Sequence, residues 1–192
     1  MAETITPVVH GGKRRPYLLP ALLHVVGATV SAALLGLALG GIGALARAPW
    51  EATPAVVAAV ALLYFVREAF SVPVPLPDRK RQVPEWWRTF FSPAVAALLY
   101  GAGLGVGFLT YLSFGTFAVV MAAALASGAP AEAGALCSLF GLGRGLAVVA
   151  VTWRSGPGSI DRLDRVAERP GPRLANAAAL AAVAAAAVAA AL

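Results

Sequence analysis

The sequence predicts an all-α, polytopic integral membrane protein with about five transmembrane helices. Three observations lead there. Mean hydropathy is +0.78 and charged residues make up only 12% of the chain, against about 25% in ordinary soluble domains. No charged residue occurs between Arg88 and Glu132, whereas one crossing helix needs only about 20 apolar residues. The basic residues cluster in short stretches between apolar runs, which is the pattern of the positive-inside rule. The formal charge of +6 is therefore read as membrane topology, and no nucleic-acid partner is expected.

Taken in order, residues 1–16 are polar and end in Lys13-Arg14-Arg15-Pro16, a cytoplasmic tail. The uncharged run 17–46 is a first span. Ala44-Leu45-Ala46 imitates a signal-peptide cleavage site, but a signal core covers only about 7–15 residues. After Arg47 and Trp50, Pro54 suits the first turn of a helix and opens a second span, 54–72. Arg67 and Glu68 lie toward its inner end. Prolines 73, 75 and 77 stop it and begin a basic cytoplasmic loop, 73–92, where Trp86 and Trp87 suit a headgroup belt.

The third span, 93–127, is longer than one crossing requires. Its glycines at 101, 103, 105 and 107 each weaken a helix by about 0.8–1 kcal/mol relative to Ala. One continuous helix and a broken or re-entrant segment are both compatible with that. The turn Ser127-Gly128-Ala129-Pro130 leads into a fourth span, 131–153, with Arg144 inside it. A cytoplasmic loop, 154–173, carries five arginines. Within it Ser159 is a candidate N-cap and residues 160, 163, 166 and 167 are apolar, the pattern of a surface helix; a solvated loop is the alternative. The alanine-rich run 174–192 has the length of a fifth span. Because alanine is only weakly hydrophobic, a surface helix or low-complexity tail is the rival reading. Twelve of the 15 Lys and Arg residues fall in the tail, the 78–88 stretch and the 154–173 loop. One membrane domain in the cytoplasmic (plasma) membrane follows, N-terminus inside and C-terminus outside.

The chain also resembles itself at a shift of 76 residues. Ala21-Leu22-Leu23 falls on Ala97-Leu98-Leu99, Gly27 on Gly103, Val30 on Val106, Pro54-Ala55 on Pro130-Ala131 and Leu63 on Leu139. Each copy is a long span, a turn with proline and a charged span. Two spans per copy make the copies parallel, about an axis along the membrane normal. The shift lays Glu68 on Arg144, so an intramembrane charge pair between Glu68 and Arg144 is expected. Charges at such depth usually pair or line a wet cavity.

Gly36-xxx-Gly40, Gly101-xxx-Gly105 and Gly103-xxx-Gly107 fit close helix approach in lipid. A broken helix lining a site is the other reading. There Thr110, Tyr111, Ser113 and Thr116 would bind substrate through their hydroxyls; singly, such hydroxyls usually bond back to their own helix. His24 reads as a packing histidine and Cys137 as a buried inert thiol. A single cysteine excludes an internal disulfide and a CxxC motif. No metal, cofactor or catalytic residue is expected, and the GxGxG run follows no strand, so a dinucleotide site fails its context.

Residues 95–152, from Tyr100-Gly101 through Leu109-Thr110-Tyr111-Leu112 to Gly141-Leu142-Gly143, resemble one repeat of the cytochrome c biogenesis CcdA/DsbD transmembrane family, within the lysine-exporter-like superfamily. The resemblance implies a glycine-rich helix, a broken segment and a glycine-stepped helix. It departs at 109–112, where the family has a Thr-Pro-Cys type motif, and in its inverted three-helix halves. A dithiol relay needs two thiols, so redox transfer by that route is not expected. Two non-enzymatic functions are then in play. One is a conduit for a small solute or ion. The other is an accessory or scaffold subunit of a membrane complex. Expected partners are the bilayer, the solute or ion, and a membrane-protein partner or further copies of the chain.

Overall fold

A computed structural model of the chain describes residues 14–46, 50–76, 86–107, 115–153 and 170–191. The regular elements among them are helices: α1 Arg14–Leu45, a 3-10 turn Trp50–Ala52, α2 Thr53–Phe70, α3 Trp87–Phe90, α4 Pro93–Val106, α5 Thr116–Ala126, α6 Pro130–Trp153 and α7 Pro170–Ala191. Within α1, α2, α6 and α7, four stretches are long and apolar enough to cross a bilayer: Leu18–Leu45, Thr53–Phe70, Pro130–Thr152 and Gly171–Ala191. The membrane reading therefore stands. Of the two readings left open for 93–127, the described residues favour the broken one: they form two shorter helices, α4 and α5, with 108–114 outside the described residues.

The helix ends follow from local chemistry. Ser92 accepts a bond from the Val95 N–H and Pro93 opens α4, where a missing N–H costs nothing. Gly107, at φ +78°, ends α4 in a conformation that side chains disfavour. α2 stops at Ser71, also left-handed at φ 59°, before the prolines. The last helix begins at Pro170, earlier than the expected 174. The surface helix expected within 154–173 falls largely outside the described residues.

α1 is the spine, with α4 on one side and α6 on another. The contacts are backbone to backbone. Gly27 meets the Leu98 carbonyl, Gly101 the His24 carbonyl and Gly105 the Ala28 carbonyl, while Gly36 and Gly40 face Ala133 and Ala129. Side chains at these positions would overlap those groups. In lipid, apolar helices gain little by leaving their solvent, so association depends on close packing of this kind. The paired positions also give directions. His24 lies level with Gly101 and Gly43 with Leu125, so α4 and α5 follow α1 in the same sense. From His24 to Gly43 α1 rises about 28 Å at 1.5 Å per residue, close to the thickness of the hydrocarbon core, about 30 Å. α6 runs antiparallel to α1, since Gly145 meets Val25 and Gly40 meets Pro130.

A second unit pairs α2 with α7. α2 reaches the spine assembly through α5: Thr53 Oγ1 donates to the Ala126 carbonyl at 2.9 Å, and Ala61 and Tyr64 share a buried cluster with Val119, Leu180 and Ala184.

Candidate functional site

The interruption between α4 and α5 is held from outside by Arg144. The last carbonyls of a helix have no partner within it. Leu104 supplies one of them, and Arg144 Nη1 donates to it at 2.8 Å. A cation at that end also meets the negative pole of the α4 dipole. The guanidinium lies 6.0 Å from the ring centre of Phe117, in the first turn of α5. It lies 5.8 Å from that of Phe140, one turn earlier on α6. Such distances are in range for cation–π attraction. One side chain thus ties α4, α5 and α6 together. On the far side of the interruption, Gly115 packs flat against the ring of Tyr64.

Of the four hydroxyl residues expected to bind substrate, Thr110, Tyr111 and Ser113 lie outside the described residues. Thr116 is half-buried at the start of α5.

Glu68 does not meet Arg144. Its carboxylate is buried, with 2% of the side chain exposed, and bonds to Arg67 Nη1. Arg173 Nε approaches the other oxygen at 3.7 Å. Arg173 Nη2 also donates to the Arg67 carbonyl at 3.0 Å. Arg67 Nε donates to the Val74 carbonyl at 2.9 Å, and the Tyr64 hydroxyl to Pro75 at 3.2 Å. The stretch after α2 is thereby folded back onto the helix. The expected pair fails for a packing reason: α7, not α6, lies along α2 and brings its own arginine to that end. In the sequence Arg173 falls in the 154–173 loop, where it bears only on topology. A charge-swapped double variant of Glu68 and Arg144 is therefore expected to show no rescue, its loss of thermal stability being the sum of the single losses.

His24 and Cys137 behave as packing residues. His24 is buried, with Nδ1 3.3 Å from the Ala97 carbonyl. Cys137 lies among Ala32, Ala124 and Ala133. Of the glycine motifs, Gly36, Gly40, Gly101 and Gly105 seat neighbouring helices, and Gly107 ends α4. Among the described residues there is no group of three metal-ligating side chains.

No protein-family model matches the chain, and no solved structure does. Curated proteins do. The chain is 39% identical over 128 residues to methylamine utilization protein MauF of Paracoccus versutus, covering 65% of this chain and 47% of the relative. It is 36% identical over 127 residues to MauF of Methylophilus methylotrophus, 65% and 45% of the two chains. Identity to MauF of Paracoccus denitrificans is 37% over 128 residues, 66% and 46%. The chain matches just under half the length of these relatives. The expected CcdA/DsbD likeness is thereby overturned: glycine spacing in apolar helices is common to many membrane bundles, and the residue-by-residue similarity of this chain is to the MauF proteins.

Proposed function

We propose that this chain is a non-catalytic accessory membrane protein serving methylamine utilization, acting by contact with a membrane-protein partner. The similarity to MauF proteins carries the reading. The solid interface of α1 with α4 and α6 supports it, because glycine and alanine there bring backbones into contact. The solute-conduit reading drew on hydroxyls at 110–116, and neither the relatives' names nor the described geometry supports it.

The chain forms a single membrane domain that crosses five times. α1, α2, α6 and α7 each cross, and α4 with α5 makes one interrupted crossing alongside α1. Helix directions suit two parallel copies, since α4–α5 follows α1 while α2 and α6 run the opposite way. The basic ends of α1, α2 and α7 share the cytoplasmic side. A reporter fused after residue 192 is expected to read as extracytoplasmic; a cytoplasmic signal there would remove the five-crossing topology.

Function is tested by deleting the gene from its host. Growth on methylamine is expected to fail while growth on other substrates continues, with uptake of radiolabelled methylamine unchanged. Loss of uptake would instead establish a transport role. Normal growth on methylamine would overturn the proposal.

A further inference from the structure

We propose that the α2–α7 pair is a binding site for an anionic phospholipid, with the headgroup at Arg67 and Arg173 and one acyl chain in the groove beside them. The groove has a volume of about 430 Å³ and is lined by Leu62 and Phe65 of α2 and by Ala181, Ala185, Val188 and Ala189 of α7. It exists because the alanines of α7 are too short to fill the space that Leu62 and Phe65 leave open. Its lining is apolar throughout, which suits an acyl chain.

The charges select the headgroup. Arg67, Arg173 and Glu68 together carry one net positive charge where α2 ends and α7 begins. Glu68 is enclosed, whereas the side chains of Arg67 and Arg173 are 23% and 42% exposed. Arg67 spends Nε and Nη1 on Val74 and Glu68. Arg173 Nη2 goes to the Arg67 carbonyl. Arg67 Nη2 and Arg173 Nη1 donate to nothing among the described residues, so donors remain for a phosphate oxygen. Phe65 and Leu62 lie one and two turns deeper along α2 than Glu68. This is the order of a lipid: charge at the membrane boundary, hydrocarbon beneath. Basic pockets between helix ends are a recurrent way of holding acidic headgroups.

The test is lipid retention by the full-length protein in mixed bilayer nanodiscs of palmitoyl-oleoyl phosphatidylglycerol and phosphatidylcholine, read by native mass spectrometry. The intact protein is expected to retain phosphatidylglycerol preferentially. Arg173→Gln should reduce that preference about fivefold, the effect of one interfacial cation. Glu68→Gln keeps an acceptor for Arg67 but raises the net charge to two, and should increase it about fivefold. A merely structural ion pair would instead lose lipid in both variants. Ala185→Leu, which fills the groove and keeps the helix, should reduce retention of both lipids. Unchanged preference in Arg173→Gln, reduced preference in Glu68→Gln, or unchanged retention in Ala185→Leu would each overturn the site. So would disulfide crosslinking of Ala185→Cys between two copies of the chain, which would assign the groove to self-association.

Discussion

Replacing Gly101 by leucine is expected to abolish the folded bundle. A Cβ at this position would overlap the His24 carbonyl and press on His24 C at 2.8 Å. Those are backbone atoms of the spine helix, so no side chain can swing aside. Overpacking a core usually costs about 1–3 kcal/mol when neighbours can adjust; here α1 and α4 must separate, and the loss should exceed that range. Separation would also break Ser31 Oγ to the Ala102 carbonyl, 2.9 Å. The measurement is the thermal midpoint of detergent-solubilised protein, or its recovery by size exclusion. Gly143→Ala is the control. Nothing lies within 4 Å of that position, so alanine should be neutral or stabilising by up to about 1 kcal/mol. Equal damage from both variants would mean that glycine content, not close approach, governs the bundle.

Replacing Glu68 by alanine should have the next largest effect. It leaves Arg67 and Arg173 facing each other across α2 and α7 without their shared counter-ion. Removing one member of a buried ion pair costs about 3–5 kcal/mol. The two arginines keep partial access to the boundary, so the lower end, about 3 kcal/mol, is expected. Arg173→Ala should cost less, near 1 kcal/mol, because that side chain is the more exposed partner. The check is thermal unfolding of each variant in detergent. If Glu68→Ala proved as mild as Arg173→Ala, the carboxylate would not be the keystone of this end. The α2–α7 unit has few other ties to the spine, so its loss should expose 71–76 to protease before α1, α4 and α6 come apart.

Several features were readable without coordinates. Apolar run lengths marked the four helices long enough to cross a bilayer, since bilayer thickness translates directly into residue number. Pro54 marked a helix start for a local reason, the lack of an N–H that the first turn does not need; in the structure Pro93 and Pro130 open α4 and α6 in the same way. Gly101 and Gly105 pointed to close approach in lipid, and both meet α1. The interruption at 107 was open in the sequence, because a glycine run is compatible with packing and with breaking alike. Only the ring of Phe117 against Gly107, together with Arg144 at the Leu104 carbonyl, separates the two roles.

Partner choice among the helices was not readable. A repeat shift of 76 residues put Glu68 over Arg144, yet that alignment compares positions along a chain and carries no account of which faces meet. The alanines of α7 read as a weak span, and their smallness is what lets the helix lie against α2 and deliver Arg173 to Glu68. Composition and charge order alone determined the bilayer as this chain's solvent and the rough extent of its apolar runs. The tertiary structure decided which charge neutralises which, because pairing depends on the azimuth of each helix and on its neighbours, and neither is written into the hydropathy of a single run.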